Sequence, residues 1–341
     1  MHDDRADPRL ASLRHWLTGL PPALGLAPAS LRPASDDASF RRYFRLDSAG
    51  GTLIAMDAPP PQEDVRPFLH AAQALARAGL SVPAVHAADP GQGFVLLQDF
   101  GSLTYLQALD ERTAPVLYRE ASAALVRLQR AGRPTDFPPY DAALLRRELE
   151  LYPEWYVGRH RGVALDDNAR NILGAAFERL VESALAQPAV TVHRDWHSRN
   201  LMVLPGEANP GVLDFQDAVH GPYTYDLVSI LRDAYVGWPE EMVLDQTIRH
   251  WERARTAGLP VPPDFAEFWR QFEWMGMQRH LKVLGIFARL SHRDGKDRYL
   301  ADMPKVLDDL LRAARRYTDF DPLVRLLEKI EGAQRRAGYS F

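Results

Sequence analysis

The spacing of apolar residues changes along the chain. Over roughly the first hundred residues it predicts short strands around one helix. Strand-like runs occupy residues 39–46 (SFRRYFRL), 52–56 (TLIAM) and 93–98 (GFVLLQ). Between the second and third runs, apolar residues from 65 to 76 recur at helical spacing. Together with a short amphipathic helix over residues 9–20, this order predicts a small lobe that mixes sheet and helix.

After Leu103 the periodicity becomes helical and stays so to the end of the chain. Three short strand pieces interrupt the helices, at residues 190–192, 201–204 and 212–215. The second and third pieces are joined by the turn segment PGEANP.

The change of pattern near residue 100 predicts an α+β fold in two lobes. At 341 residues the chain is long enough to bury a sizeable core in each. We expect a hinge at residues 97–101, so that residues 1–98 form the small lobe and residues 102–341 form the larger, helical lobe.

Composition narrows the class of protein. A hydrophobic content of 46% and a charged content of 25% are ordinary for a soluble globular protein. A formal net charge of −4 argues against a nucleic-acid partner. The chain has no cysteine, no signal-like N-terminus and no run of roughly 18 apolar residues that could span a membrane. We therefore predict a cytoplasmic monomer with neither nucleic-acid nor membrane partners.

Candidate chemistry is concentrated in residues 193–200, which read HRDWHSRN, and in Asp214 within VLDFQ. Asp195 can accept the proton of an attacking hydroxyl, and Asn200 and Asp214 offer the hard oxygen ligands that Mg²⁺ prefers. Each residue alone is typical of a turn or a helix cap. In this order and spacing they predict phosphoryl transfer from ATP with Mg²⁺, with Asp195 as the catalytic base.

The small lobe should then bind the nucleotide. Residues 35–39 (SDDAS) are the candidate phosphate loop, whose backbone N–H groups, including those of Ser35 and Ser39, would meet phosphate oxygens. Most kinases place a lysine on the third strand, but this chain has Met56 there and its first lysine is Lys282. Either an arginine replaces that lysine, or the metal neutralises the phosphates alone. The remaining candidates for nucleotide binding are Arg41, Arg42, Gln98 and Phe100.

The helical lobe supplies candidates for acceptor binding. Aromatic residues among a few polar groups suit a sugar, although the same residues also suit a protein core. Glu148 and Glu150 cannot share a helix face, so we expect only one to face the site. Asp226 heads a helix and is predicted to be its N-cap, which ties the loop at residues 193–200 to the helical lobe. The candidates for substrate binding are Glu148, Trp155, His197, Arg199, Arg232, Gln278 and Arg279.

Several segments resemble the aminoglycoside/choline phosphotransferase family: QDFG, HRDWHSRN, LDFQD and the helical tail. Within that family, IAMDAPP, HGPYTYDLVSILRDAYVGWPEE and MQRHLKVLGIFARL are most similar to bacterial kinases of N-acetylmuramate and N-acetylglucosamine. Met56 departs from the wider family but is typical of this subgroup. The resemblance implies a bilobal, protein-kinase-like fold and an ATP- and Mg²⁺-dependent sugar 1-kinase of cell-wall recycling. The muramate carboxylate would need a cation, for which Arg199, Arg232 and Arg279 are candidates.

Two other functions remain open at this point. A kinase of choline or an aminoglycoside would need carboxylates or an aromatic cage for a cationic acceptor, and the region of Glu148 and Glu150 does not exclude that. A non-catalytic nucleotide-binding scaffold would account for the missing lysine and the phosphate loop without glycine. A scaffold has no need of a base, however, so the presence of Asp195 favours an enzyme.

Overall fold

The structure, a computed structural model, describes residues 7–35 and 41–337. The chain forms two compact units, which we call the first unit (residues 1–103 and 202–217) and the second unit (residues 104–201 and 218–341). The segment 202–217, which carries Asp214, therefore belongs to the first unit although it follows the HRDWHSRN loop in sequence. The predicted hinge at residues 97–101 stays a prediction.

The first unit is built on a five-stranded antiparallel sheet with the strand order β1-β2-β3-β5-β4. Its strands are β1 (Ala27–Ser35), β2 (Arg42–Ser48), β3 (Gly51–Asp57), β4 (Val85–Asp89) and β5 (Phe94–Gln98). The sequence predicted the three central strands, and the structure confirms them. It missed the two edge strands, because β1 contains two prolines, which an edge strand tolerates, and β4 alternates only weakly.

Helix α1 (Pro8–Thr18) precedes the sheet in the sequence, and helix α2 (Arg66–Arg77) lies between β3 and β4, as predicted. The side chain of Asp7 caps α1 by accepting a hydrogen bond from the backbone of Leu10 at 3.0 Å. The core between α1 and the sheet is apolar, and its buried members are Leu10, Leu13, Leu17, Phe44, Leu46, Ala55, Phe94 and Leu96. Burial of one face of each element thus fixes the register of the strands that carry the candidate arginines.

The second unit is mainly helical, and the α+β prediction is confirmed. Its helices are α3 (Tyr105–Ala108), α4 (Ala114–Ala131), α5 (Ala142–Leu149), a π-helix (Tyr152–His160), α6 (Asp167–Leu185), α7 (Tyr225–Leu231), α8 (Glu240–Thr256), α9 (Phe265–Asp294), α10 (Met303–Ala314) and α11 (Asp321–Ala337). In the part of the chain that the structure describes, no helix combines the length and apolar character that crossing a bilayer requires.

The long helix α9 organises the second unit. It begins at its cap, Asp264, and ends at Gly295, whose left-handed φ of 67° closes the last turn. It packs directly on the start of the π-helix, because Gly285 carries no side chain: a Cβ there would lie 2.4 Å from the carbonyl carbon of Leu151. This close packing brings the polar residues 278–282 of α9 towards the residues that follow α5.

Four short strands flank the candidate loops. β6 (Ala189–Val192) and β9 (Val219–Pro222) pair antiparallel, and β7 (Leu201–Met202) pairs with β8 (Gly211–Val212). The prediction that the last strand piece continues to residue 215 is wrong. Asp214 has a φ of 60°, which ends the extended conformation and directs the chain away from the ladder.

Candidate active site

Backbone strain marks both candidate motifs. Among residues 7–35 and 41–337, Arg194 (φ 74°) and Asp214 (φ 60°) are the two non-glycine residues with positive φ. Such conformations are costly, and they persist where the surrounding structure fixes them. One strained residue directly precedes the predicted base, and the other is a predicted metal ligand, so the strain lies where the sequence predicted chemistry.

The loop at residues 193–200 is held by a buried carboxylate. Asp226 accepts hydrogen bonds from the backbone N–H groups of His193 (2.7 Å) and Arg194 (3.0 Å). Burial raises the pKa of Asp226 to about 7, against the effect of these two bonds. The prediction of an N-cap is wrong, because Thr224 occupies the cap position and Asp226 lies inside α7. Its predicted task of tying the loop to a helix is confirmed.

A second aspartate fixes the other half of the same loop. Asp233 accepts hydrogen bonds from the backbone N–H groups of Ser198 (2.8 Å) and Tyr235 (3.0 Å). The carbonyl of Ser198 in turn accepts a bond from the backbone of Leu106 at 2.9 Å. The loop therefore depends on partners distant in sequence, which its own residues do not reveal.

Asp195 sits half-buried between these anchors. Its carbonyl accepts bonds from the backbone N–H of His197 (2.9 Å) and the side-chain amide of Asn200 (3.1 Å). Burial acts to raise the pKa of Asp195, but the positive charge of Lys282, with His197 and Arg194, outweighs it and lowers the pKa. The carboxylate is therefore ionised near neutral pH, as a general base requires.

Asn200 and Asp214 have the donor chemistry of hard-cation ligands. The amide nitrogen of Asn200 is used in the bond to Asp195, which fixes the side chain so that its oxygen is the group suited to a cation. Within the first unit, Asp214 accepts a bond from the amide of Gln216 at 2.8 Å. An amide oxygen and a carboxylate are each hard donors of the kind that Mg²⁺ takes besides phosphates and water.

Glu148 is the centre of a buried charge network in the second unit. It pairs with Arg194 and with Lys282 (2.9 Å), and the hydroxyl of Tyr140 donates to it. Gln278 approaches it at 3.5 Å. Burial acts to raise the pKa of Glu148, but these cations lower it. Glu150 is exposed, so only one of the two glutamates faces inward, as the helical spacing predicted.

Lys282 was not among the sequence candidates, and it connects this network to the loop. Its ammonium donates to the hydroxyl of Tyr225 at 2.8 Å and pairs with Glu148, and its charge acts on Asp195. The signal that could have found it was present, since Gln278, Arg279 and Lys282 interrupt an otherwise apolar helix. Sequence spacing alone gave no way to tell that these residues meet Glu148.

The other acceptor-side candidates have separate surroundings. The ring of His197 lies 5.4 Å from that of Tyr235, and the guanidinium of Arg199 stacks 3.8 Å from the same tyrosine. Arg232 forms a bidentate pair with Glu240, at 2.8 and 2.6 Å. Trp155 lies half-buried in the π-helix, with Arg159 at 5.9 Å from its ring.

In the first unit, carboxylates hold all three clustered arginines. Arg42 bonds to the buried Asp57 at 2.6 Å, and Arg45 bonds to Asp99 at 2.9 Å. Arg41 is paired more loosely, with Glu63 at 3.5 Å.

Arg41 differs from its neighbours in its surroundings. Burial acts to lower its pKa, but the negative groups around it, including Glu63 and Asp214, raise it. The guanidinium thus lies in the electrostatic field of the predicted metal ligand. Glu63 was missed by the sequence analysis, because nothing in the residues before α2 connects it to an arginine 22 positions earlier.

The remaining nucleotide candidates are dispersed over the first unit. Met56 is fully buried in β3, opposite Tyr43, so its position offers no polar group. The ring of Phe100 packs so closely on Gly211 that a Cβ there would lie 2.7 Å from it. Gln98 accepts a bond from the backbone of Ala84 at 3.4 Å. Ser35 ends β1, whereas Ser39 and the rest of the predicted phosphate loop lie outside the described residues.

Comparisons with known proteins agree with this chemistry. Residues 30–268 match the model of the phosphotransferase enzyme family. A protein of Pseudomonas aeruginosa named N-acetylmuramate/N-acetylglucosamine kinase is 48% identical over 96% of this chain and 99% of its own length. A Neisseria meningitidis protein of the same name is 46% identical over 98% and 99%. A solved structure of amicoumacin kinase with AMP-PNP and Ca²⁺ has a TM-score of 0.63 at 13% identity, covering 91% of this chain and 96% of that one.

Proposed function

We propose a function from the premise that this chain belongs to the phosphotransferase enzyme family. The chain transfers the γ-phosphate of ATP to the anomeric hydroxyl of N-acetylmuramate or N-acetylglucosamine, in the recycling of cell-wall sugars. The acceptor is taken from relatives with that name that are 46–48% identical over nearly their whole lengths. The cytoplasmic location and the monomeric state stay predictions.

The observation that carries the proposal is that Asp195 lies in a firmly anchored loop and that its carboxylate is ionised. Its loop is fixed by two buried aspartates, and neighbouring cations keep its carboxylate ionised. We infer that this carboxylate takes the proton of the anomeric hydroxyl as the sugar oxygen bonds to the γ-phosphorus. The bond from that phosphorus to the β–γ bridging oxygen breaks, and ADP leaves. An anomeric hydroxyl is more acidic than an ordinary alcohol, which suits a carboxylate base.

The predicted Mg²⁺ ligands, Asn200 and Asp214, stay part of this proposal. When bound, the metal would neutralise phosphate charge and align the transferring group. Within this chain, we infer that Arg41 supplies the phosphate-binding cation that other kinases take from a third-strand lysine. Glu63 would hold Arg41 as a carboxylate holds that lysine elsewhere.

An acceptor panel tests the proposal. The purified protein with Mg-ATP should release ADP with N-acetylmuramate and N-acetylglucosamine but not with their 1-O-methyl glycosides, which lack the anomeric hydroxyl. Equal turnover of the methyl glycosides would sink the anomeric assignment. Turnover of choline or kanamycin instead would identify another kinase, and turnover of no acceptor would favour a scaffold.

Asp195→Asn tests the base. We expect a fall in kcat of about 10³-fold, within the range for loss of a general base, while ATP affinity measured by calorimetry is retained. Asp308→Asn, an exposed residue of α10, is the matched control and should turn over like the unaltered protein. Wild-type kcat in Asp195→Asn would refute the assignment.

A further inference from the structure

Arg279 is a buried cation that forms no ion pair among the described residues, although its charge also acts on the buried carboxylate of Asp226. Its side chain lies on α9 and only 4% of the residue is exposed. Its Nε and Nη1 atoms are buried and have no hydrogen-bond partner among the described residues. A guanidinium stays protonated in proteins, and an unpaired buried charge is strongly destabilising. Such a group is retained in a protein where a bound ligand supplies the anion.

The other two candidate cations of the second unit are already engaged. Arg232 is committed to Glu240 through two hydrogen bonds, and Arg199 is stacked on the ring of Tyr235. Farther along α9, Arg289 also has a buried Nε without a partner, but this residue is half-exposed and water can solvate its charge. Arg279 is therefore the guanidinium whose surroundings most require a ligand.

The groups around Arg279 indicate where that ligand would lie. Burial most strongly lowers the pKa of His197, and the charge of Arg279 lowers it further. The charge of Arg279 also acts on Tyr235. Other buried polar atoms in this neighbourhood lack partners too, namely Nδ1 of His197, Oγ of Ser198 and Oε1 of Gln278. Two of these atoms, on His197 and Ser198, belong to the same loop as the predicted base Asp195, so a ligand of that loop could use them together with Arg279.

We propose that Arg279 binds the carboxylate of an acidic acceptor sugar and so makes the enzyme select N-acetylmuramate over N-acetylglucosamine. These sugars differ by the lactyl ether of the former, which carries one carboxylate. The planar guanidinium of Arg279 offers unpartnered N–H donors at Nε and Nη1, on different edges of the group, and either edge can donate to that carboxylate. This inference rests on the proposed function, because it names the acceptor group that the same site recognises.

Three acceptors on the unaltered protein give the first test: N-acetylmuramate, its neutral carboxamide and N-acetylglucosamine. We expect kcat/KM for the carboxamide to be about 30-fold or more below that for the acid, since a buried cation would face a neutral group. Equal kcat/KM values for the acid and the carboxamide would overturn the inference. This comparison uses only the unaltered protein.

Arg279→Gln gives the second test. We expect kcat/KM for N-acetylmuramate to fall about 100-fold while that for N-acetylglucosamine changes less than about threefold, so that selectivity for the acid is lost. Arg279→Lys should restore part of the selectivity, because lysine restores the positive charge but not the planar set of N–H donors. Arg289→Gln, on the same helix, should leave the ratio at its original value.

The outcomes separate this inference from the proposed function. Equal losses for both sugars in Arg279→Gln would assign Arg279 to the transferring phosphate or to packing, and would overturn the carboxylate assignment. Failure of the unaltered protein to phosphorylate either sugar would instead overturn the proposed function. If Arg279→Gln does not fold, the comparison of acid with carboxamide decides alone.

Discussion

The two units hold their arginines in different ways. In the first unit, Arg42 and Arg45 are bound by buried carboxylates, and Arg41 keeps a looser pair with Glu63. In the second unit, Arg232 is bound as firmly, but Arg279 forms no ion pair among the described residues.

The difference indicates what each cation is suited to. An arginine with its own carboxylate is oriented before a ligand arrives, and its net charge is partly cancelled, which suits phosphates that a metal also neutralises. An arginine without a carboxylate keeps its full charge for the ligand and discriminates by charge. We therefore propose that arginine positions the phosphates in the first unit and selects the acceptor in the second.

The largest effect should come from breaking the pairing at Glu148. In Glu148→Gln the buried cations Arg194 and Lys282 lose their shared anion, so we expect the free energy of unfolding to fall by about 3–5 kcal/mol. Urea unfolding followed by circular dichroism measures this. Glu150→Gln, exposed beside it, should change stability by less than about 0.5 kcal/mol. A loss below about 1 kcal/mol in Glu148→Gln would mean that the cluster tolerates unpaired cations, and would weaken the contrast with Arg279.

The next largest effect should come from replacing Arg41, the proposed phosphate-binding cation. Arg41→Gln should lower kcat/KM for ATP about 100-fold, because a charge-assisted contact to phosphate is lost, and Arg41→Lys should recover about tenfold of this. Steady-state kinetics at saturating acceptor measure the change.

Two other arginines serve as comparisons for Arg41. Arg32→Gln removes an exposed pair with Asp47 and should be neutral. Arg42→Gln should act on stability more than on kcat/KM for ATP, because its partner Asp57 is buried. A larger kinetic effect at Arg42 than at Arg41 would reverse the roles assigned to them.

The sequence predicted the parts of this picture that depend on local pattern. Strand and helix periods located β2, β3, β5, α1 and α2 and indicated that the rest of the chain is mainly helical. The loop at residues 193–200 was recognised because its residues are close in sequence. The predicted N-cap at Asp226 was wrong, because local pattern cannot reveal that a carboxylate bonds to backbone 32 and 33 residues earlier.

Long-range partners explain the remaining misses. Glu63 and Lys282 are polar residues whose roles follow from distant groups, Arg41 for the first and Glu148 for the second. The sequence offered three arginines for the acceptor carboxylate, and their spacing did not favour any one of them. The preference for Arg279 arises because Glu240 engages Arg232, and that pairing is visible only in three dimensions.

The smallest effect tests how burial acts on a basic group that, unlike a guanidinium, can lose its proton. That group is His280, whose Nε2 lies 3.4 Å from the carbonyl oxygen of Arg232. Burial lowers the pKa of His280, next to Arg279, to about 3. A folded-state pKa below the unfolded value of about 6.5 gives stability that is present above pH 6.5 and is lost as the pH falls towards 3. Between pH 7 and 5.5 we expect the free energy of unfolding to fall by about 1 kcal/mol because of this residue, measured by urea unfolding at both pH values.

His280→Gln should remove that part of the pH dependence, whereas His15→Gln, an exposed residue of α1, should not. An unchanged pH dependence in His280→Gln would mean that the charged imidazole is tolerated there, and that a buried cation beside α9 needs no anion.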